Sequence, residues 1–220
     1  MLNPGNKSNS LLKLRIPTLV GLVFLVVAMM LGTFFFSQGT GVFAPRATPQ
    51  TTPKNVRITN ISDNSFTISF LTDEPTTAFV KYGTETNKLD SINVDDDRDQ
   101  LSGSPTPYPL HHISLLGLQP GTKYYFAIGT DDGAMFDNNG TSFAVTTAQR
   151  NGAPASAKTI YGSVTTEAGS PADGALVYVK IPGAADMSSL VKKSNSWAIP
   201  LSNARTPDGS AYVTVEETAK

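Results

Sequence analysis

The sequence predicts an all-β protein, in which two tandem β-sandwich domains are preceded by one transmembrane α-helix. Three observations support this prediction. Apolar residues alternate with polar ones over many short segments, as in strands that have one buried face. Turn-forming Gly, Pro, Asn and Asp residues separate these segments at regular intervals. One uncharged apolar run, residues 16–36, lies near the N-terminus.

Composition excludes several kinds of site and partner. The 220-residue chain has no cysteine, which excludes disulfides, thiolate metal sites, a cysteine nucleophile and a lipid-modified cysteine. Three of the 17 basic residues lie in residues 1–15, which have no acidic residue. The rest of the chain therefore has 14 basic and 18 acidic residues, a net charge of −4. Such a chain lacks the basic surface that nucleic acid requires, so we expect no nucleic-acid partner.

Residues 1–15 are interpreted as a cytoplasmic basic stub and residues 16–36 as a transmembrane helix. A helix of these 21 residues is roughly 31 Å long, about the thickness of a bilayer's hydrocarbon core. Because Lys7, Lys13 and Arg15 precede the run, the positive-inside bias keeps the N-terminus in the cytoplasm. The expected localisation is the cell membrane, with the lipid bilayer as partner of a single-pass helix and the C-terminal domains outside the cytoplasm. An exported chain without disulfides fits a bacterial envelope.

Two other interpretations of this run fit the sequence less well. A cleaved signal peptide normally has a shorter apolar region, and the best cleavage position here follows Ala44 and is itself followed by Pro45. A type IV pilin would need an acidic residue early in the apolar helix, and residues 16–36 contain none.

Residues 37–53, SQGTGVFAPRATPQTTP, are predicted to be a tether without regular structure because Gly, Pro and Thr dominate them. At about 3.1 Å per residue, the tether reaches roughly 50 Å. It is either a stalk that lifts a domain off the membrane or a linker with no role of its own.

Residues 54–148 are predicted to form the first domain. Six segments carry alternating apolar residues that would face the core of a two-sheet sandwich. These sets are Val56 and Ile58; Phe66, Ile68 and Phe70; Ala78, Val80 and Tyr82; His111, Ile113 and Leu115; Tyr124, Phe126 and Ile128; Phe143 and Val145. In residues 65–70, Ser and Thr occupy the opposite face, which is expected to be solvated.

One local pattern in this domain predicts a specific contact. Tyr124 follows Leu118 by six residues, across the turn formed by Pro120 and Gly121, at the start of a strand. A buried tyrosine at this place can fold its hydroxyl back onto the backbone of the turn and fix the corner.

The segments TPKNVRITNISDNSFTISFLTDEPTTAFVKYG and FAVTTA, together with this corner, resemble a fibronectin type III domain. The resemblance is to the variety at the N-terminus of purple acid phosphatases and covers residues 53–148. One departure is Phe70, where the family usually has Trp. In purple acid phosphatases the metal ligands lie in a separate downstream domain rich in Asp, Asn and His. This chain has two histidines in total, so the resemblance implies the accessory domain alone, with no catalytic, cofactor-binding or metal-binding residues.

Residues 149–157 are predicted to be a linker and residues 158–220 a second domain. Ile160, Gly162 and Val164, followed by the GALVYV segment of residues 174–179, resemble a carboxypeptidase regulatory-like β-sandwich. The segment SNSWAIPL, which contains Trp197, occupies the place of that family's aromatic-bearing strand. After it, only residues 211–215 are expected to form another strand. The domain is therefore either incomplete at Lys220 or has an open sheet edge that a partner could pair with.

Two groups of polar residues are candidate metal sites. Asp95, Asp96, Asp97 and Asp99 have the spacing of oxygen ligands for calcium. An EF-hand loop starting at Asp95 would need Gly at position 100 and Glu at position 106, but the chain has Gln and Thr there. This leaves an irregular calcium loop or, as we expect, a solvated acidic loop. His111 and His112 point to opposite faces of one strand and are expected to be packed or surface residues.

The remaining candidates are weaker. No Ser–His–Asp constellation can be argued from the sequence. Trp197 is the only tryptophan, and it is either a core residue or an exposed platform for sugar stacking. Asn6, Asn60 and Asn139 begin sequences that match glycosylation acceptors.

The predicted function is a membrane-anchored cell-surface protein that displays non-catalytic β-sandwich modules for adhesion, spacing or presentation, with a protein or glycan ligand at the surface. One alternative is the accessory N-terminal portion of a larger surface hydrolase. Another is a carbohydrate-binding module.

Overall fold

This computed structural model describes residues 22, 26, 27, 29, 50–131, 133–154 and 158–214. The chain divides into two compact units, Met1–Ala47 and Thr48–Lys220. In the first unit, Leu22, Val26, Val27 and Met29 are helical and exposed. The predicted stub, most of the predicted transmembrane run and the tether up to residue 49 lie outside the described residues. Within the described residues, no helix has both the length and the apolar character needed to span a bilayer.

Residues 54–146 form a two-sheet antiparallel sandwich with one short helix. The strands are β1 (Lys54–Thr59), β2 (Ser65–Thr76), β3 (Ala78–Gly83), β4 (Val94–Asp95), β5 (Tyr108–Leu116), β6 (Lys123–Thr130), β7 (Met135–Phe136) and β8 (Phe143–Thr146), and the helix is α1 (Asp97–Ser102). One sheet has the order β1-β2-β5, and the other has the order β4-β3-β6. β8 and β7 pair with successive parts of β6, at Lys123–Phe126 and at Ile128–Gly129 respectively.

The core of this domain lies between the two sheets and is built from the alternating residues of the strands. The buried members are Phe66, Ile68, Phe70, Ala78, Val80, Ile113, Leu115, Leu118, Tyr124, Phe126, Ile128 and Val145. Apolar burial of this kind is the main stabilising contribution to folding. The all-β sandwich predicted for this part of the chain is confirmed.

Three short elements were not predicted. β4 and β7 have two residues each, too few to show any periodicity. α1 has typical helix-end residues in the sequence: the Asp96 side chain caps its N-terminus by accepting from the N–H of Arg98, and Gly103 ends it at φ 72°.

Between residues 158 and 214, the second unit has four strands in two antiparallel pairs. The strands are β9 (Thr159–Ser163), β10 (Leu176–Val179), β11 (Met187–Leu190) and β12 (Ser196–Pro200), followed by a 3₁₀ turn at Leu201–Asn203. β10 pairs with β11, and β12 pairs with β9. A small core between the pairs contains Met187, Ile199, Leu201 and Ala204.

The strand expected at residues 211–215 is replaced, as far as residue 214, by a single bridge between Arg205 and Tyr212. The Arg205 guanidinium lies over the Tyr212 ring, 3.5 Å from its centroid. Backbone hydrogen bonds from the Thr206 N–H to the Ala211 carbonyl at 3.0 Å and from the Val213 N–H to the Ala204 carbonyl at 2.9 Å also join the two segments.

Candidate functional site

The face of the β1-β2-β5 sheet that was expected to be solvated is buried. Thr67 and Ser69 are 3% and 0% exposed. The Ser69 Oγ and the Tyr178 hydroxyl on β10 are 2.8 Å apart, and the Arg57 guanidinium lies 4.6 Å from the centroid of the Tyr178 ring. The expectation was wrong because the strands β10 and β11 pack on this face. We call the contact surface between this face and these two strands the junction.

Asn60 connects the sandwich of residues 54–146 to the C-terminal strands of the same compact unit, at the edge of β11. Its backbone N–H donates to the Asp186 carbonyl at 3.0 Å. Its side chain accepts from the Ser188 N–H at 2.9 Å and donates to the Ser188 carbonyl at 3.0 Å. These bonds satisfy three backbone groups on the side of β11 that faces away from β10: the Asp186 carbonyl, the Ser188 N–H and the Ser188 carbonyl. The left-handed backbone of Asn60, at φ 53°, is one that asparagine tolerates better than most residues.

Ser188 also belongs to a hydrogen-bonded chain of three side chains. Its Oγ lies 3.0 Å from His112 Nε2, and His112 Nδ1 lies 2.7 Å from Asp97 Oδ2. An ionised carboxylate can only accept, which places the proton on Nδ1 and leaves Nε2 to accept from the serine hydroxyl. The structure therefore brings together a Ser–His–Asp arrangement that the sequence analysis did not find, from residues 97, 112 and 188.

The Ser188 hydroxyl is fully engaged in this arrangement. Thr59 Oγ1 lies 2.6 Å away and Asn60 Nδ2 lies 3.3 Å away, in addition to His112. A hydroxyl donates one hydrogen bond and accepts two, so these three partners use its whole capacity. Ser188 is also only 5% exposed. A nucleophile needs a free lone pair and access to substrate, and this geometry offers neither.

The acidic run next to this chain was expected to be a solvated loop, which is wrong for its central residues. Asp96 is 0% exposed. Its carboxylate accepts from Arg98 Nε at 2.8 Å, from Arg98 Nη2 at 2.9 Å and from the His112 N–H at 3.0 Å. Asp97 accepts from the Ser114 N–H at 2.7 Å and from the Ser114 hydroxyl at 2.8 Å. Asp96 is buried because it binds β5 and Arg98 in place of water, whereas the Asp97 side chain remains 25% exposed.

Burial by itself raises the pKa of Asp96, because it disfavours the charged form. The hydrogen bonds and charge of Arg98, together with the His112 N–H, outweigh this effect and hold the pKa of Asp96 well below its usual range. Asp95 differs, because burial and the neighbouring charge of Asp99 raise the pKa of its carboxyl. Among the described residues, no group of three or more His, Asp or Glu side chains is arranged to hold a metal ion.

His111 and His112 lie on opposite faces of β5 and have different surroundings. His111 is 0% exposed and stacks on Phe70 with 4.7 Å between the ring centroids. Its Nδ1 is 3.4 Å from Asp96 Oδ2, too long for a strong hydrogen bond. Its Nε2 has no hydrogen-bond partner within the described part of the chain. His111 is therefore a core residue, whereas His112 belongs to the junction.

The structural residues named from the sequence have the following places. Leu118 is in the sandwich core, and the Pro120 carbonyl accepts from the Thr122 hydroxyl at 3.1 Å. The Tyr124 hydroxyl accepts from the Gln119 N–H at 2.9 Å, across the turn. Trp197 packs against the small core of the C-terminal domain and lies over Gly162, where an added Cβ would be 2.9 Å from its Nε1.

The glycosylation motifs are also placed. The Asn60 amide is bonded within the junction, so it is not available to an external enzyme in the folded chain. Asn139 lies in an exposed turn at φ 53°. Asn6 is outside the described residues.

Comparison with known proteins supports a fibronectin type III sandwich for the first domain. Residues 53–150 match the family described as purple acid phosphatase, N-terminal domain, which confirms the resemblance seen in the sequence. No curated protein sequence matches the chain significantly.

Three similar solved structures have low scores. A computationally redesigned β-sandwich protein is 19% identical with a TM-score of 0.28, and the match covers 46% of this chain and 97% of that one. The central fibronectin-III array of RIM-binding protein is 12% identical with a TM-score of 0.31, covering 78% of this chain and 62% of that one. The FN1–FN3 domains of chicken CNTN1 are 13% identical with a TM-score of 0.29, covering 68% and 55%. The fold assignment therefore depends on the family match and on the strand order.

Proposed function

We propose that this chain is a membrane-anchored surface protein that displays its two β domains as one non-catalytic unit for adhesion, spacing or presentation. The main observation for the proposal is the junction, where the partly buried Asn60 bonds to the backbone of Ser188, which is 5% exposed. Buried hydrogen-bonded contacts of this kind fix a relative orientation, because each group would lose its partner if the domains separated. A fixed orientation suits a spacer or a presenting scaffold.

The non-catalytic character is supported by the chemistry of the side chains. Ser188 is held by three partners and is almost fully buried. His111 is enclosed in the core. The carboxylates Asp96 and Asp97 are used to bind β5 and Arg98. All these side chains make contacts within the folded chain.

The membrane anchor is supported by the sequence alone. The uncharged run of residues 16–36 is long enough to cross a bilayer, and the three basic residues before it favour an exported C-terminal part. The resemblance of residues 158–201 to a carboxypeptidase regulatory-like domain supports the same location, since that family is common in exported bacterial proteins.

Protease treatment of intact cells tests the proposal. A chain with one epitope tag at each end should lose the C-terminal tag to external protease and keep the N-terminal tag, because only the domains face outwards. The matched control is a chain without residues 16–36, which should remain soluble inside the cell with both tags protected. Recovery of the uncut full-length protein in the soluble fraction would contradict the anchor, as would protection of the C-terminal tag in intact cells.

The family match supports a second candidate, the accessory portion of a larger surface hydrolase. The gene sequence beyond Lys220 distinguishes the two candidates. A downstream coding region rich in His, Asp and Asn would favour the hydrolase, because those residues supply the metal ligands of purple acid phosphatases. A stop codon, or further β modules without such residues, would favour the scaffold.

A further inference from the structure

A cavity of about 460 Å³ lies beside the junction, between the two domains. Its walls come from the turn between β1 and β2, from the segment leading into β11, from the end of β12, and from Arg205 and Tyr212. This volume is within the range of about 300–1,000 Å³ that small-molecule sites occupy. The position between two domains is also a common one for such sites.

Arg205 is an incompletely bonded group in the wall of this cavity. It is 2% exposed, although arginine is rarely buried without partners. Its Nη1 donates to the Gln149 carbonyl at 3.0 Å, and its guanidinium stacks on Tyr212. Among the described residues, none accepts a hydrogen bond from its buried Nε. A buried donor without an acceptor is costly, but Nε has almost no accessible surface, so a ligand atom in the cavity would bond Nη2 of the same guanidinium, the atom nearest to Asp63.

Asp63 supplies the complementary group on the same wall. Its Oδ2 accepts from Arg150 Nε at 2.9 Å. Its Oδ1 lies 3.9 Å from Arg205 Nη2, which is too far for a direct hydrogen bond. An atom that bridges the two groups must accept from the guanidinium and donate to the carboxylate. A hydroxyl group does both.

The charge and shape of the wall favour a neutral ligand with several hydroxyl groups. The carboxylates of Asp63 and Asp186 disfavour a bound anion, and the buried cation of Arg205 disfavours a bound cation. The amide of Asn203 adds a donor and an acceptor, while Ile61 and Ile199 add apolar surface. Polyols present both kinds of surface, because hydroxyl groups alternate with C–H groups around their rings.

We propose that this cavity is a binding site for a sugar residue, with Arg205 and Asp63 as its principal contacts. The proposal goes beyond the display function and does not depend on the anchor, since the site lies wholly within residues 60–212. The ligand would contact both domains at once, so binding also stabilises the junction.

Titration of the full-length purified protein with a panel of neutral sugars tests the proposal. The probes are common hexoses, pentoses, N-acetylhexosamines and inositol, and sodium phosphate and sulfate are the anionic comparison. At least one neutral sugar should bind and raise the unfolding temperature. The amide resonances that shift on binding should lie in residues 61–65, 185–188 and 203–205. Shifts confined to another surface, or binding of the anions alone, would overturn the proposal, as would the absence of any binding at millimolar concentration.

Variants of the two principal contacts refine the test. Asp63→Asn and Arg205→Lys should each weaken sugar binding by about tenfold or more, because each removes a hydrogen bond to a charged group. The matched controls are Asp73→Asn, in an exposed ion pair with Lys54, and Arg57→Lys, which lies over Tyr178 outside the cavity. Each variant is first checked for folding by circular dichroism. If Arg205→Lys does not fold, the amide resonances that shift when sugar binds the unaltered protein show whether the ligand lies in this cavity. Unchanged affinity in a folded Asp63→Asn variant would refute the assigned contacts.

Discussion

At the scale of single residues, the buried carboxylate of Asp96 shows how one side chain connects several parts of the first domain. It caps α1, pairs with Arg98 through two oxygens and accepts from the backbone of β5. A buried ion pair adds stability only while both partners are charged and bonded. Its effect on folding should therefore depend on pH.

Stability contributed by Asp96 should be lost in acid. Because the pKa of Asp96 is lower in the folded chain than in the unfolded chain, its contribution is present above the unfolded value of about 3.9 and decreases as pH falls below it. Asp96→Asn should reduce the free energy of unfolding by about 3 kcal/mol at neutral pH, since it leaves Arg98 without its partner. Urea denaturation of the variant and of the unaltered protein, at neutral pH and at about pH 3, measures the difference between their free energies of unfolding. This difference should be smaller at the lower pH.

The control for this prediction is Asp90→Asn. Asp90 pairs with Lys88 at 3.3 Å, but both side chains are more than half exposed, so this change should have little effect. An Asp96→Asn variant whose difference from the unaltered protein is the same at both pH values would contradict the assignment.

The tyrosine corner is a second contact of a single residue. Tyr124→Phe removes the hydroxyl that accepts from the Gln119 N–H and leaves the ring in the core. We expect the free energy of unfolding to fall by about 1 kcal/mol, the usual net effect of one hydrogen bond. Tyr161→Phe, at an 80% exposed position, is the matched control and should have no measurable effect in the same denaturation experiment.

At the scale of elements, the strands with a clear period of two were predictable and the junction was not. Phe66, Ile68 and Phe70 face the core as their alternation indicated, because apolar burial determines that face of β2. Thr67 and Ser69 on the other face were expected to be solvated. Small polar residues occur both on solvated faces and in hydrogen-bonded interfaces, and periodicity cannot distinguish the two. The contact of Ser188 with His112 joins residues 76 positions apart. No local pattern encodes such a contact.

Ser188 should be more important to the junction than its neighbour on the same strand. Ser188→Ala leaves Thr59, Asn60 and His112 without their shared partner in a buried place. The expected loss is about 1–3 kcal/mol of unfolding free energy. Ser189→Ala is the matched control, because the Ser189 hydroxyl makes only a weak bond to the adjacent Leu190 carbonyl at 3.3 Å. Equal effects of the two substitutions on the denaturation midpoint would show that the chain through His112 does not contribute.

At the scale of the whole molecule, the stability of the predicted C-terminal domain should depend on the sandwich of residues 54–146, with which it forms one compact unit. Within the described residues, its core cluster has four buried apolar residues, Met187, Ile199, Leu201 and Ala204, Val191 is buried outside that cluster, and the chain has no disulfide to supplement them. Domains of this size rarely bury enough apolar surface to be stable alone. The junction supplies what the core lacks, since Met187 and Ser188 lie on the strand that Asn60 holds against the first domain. The two domains should therefore unfold together.

Asn60→Ala should separate the two unfolding events. Fluorescence of Trp197, the only tryptophan, follows the C-terminal domain, and amide hydrogen exchange in β6 follows the first. Both probes should give the same denaturant midpoint in the unaltered protein. In the variant, the Trp197 midpoint should come at a lower denaturant concentration, and the free energy of unfolding that Trp197 reports should fall by about 1–3 kcal/mol. Asn139→Ala is the control for the cost of placing alanine at a positive φ, because Asn139 has the same φ of 53° in an exposed turn. If both variants keep coincident midpoints, the side chain of Asn60 does not couple the domains, and the rigid unit proposed for display loses its structural basis.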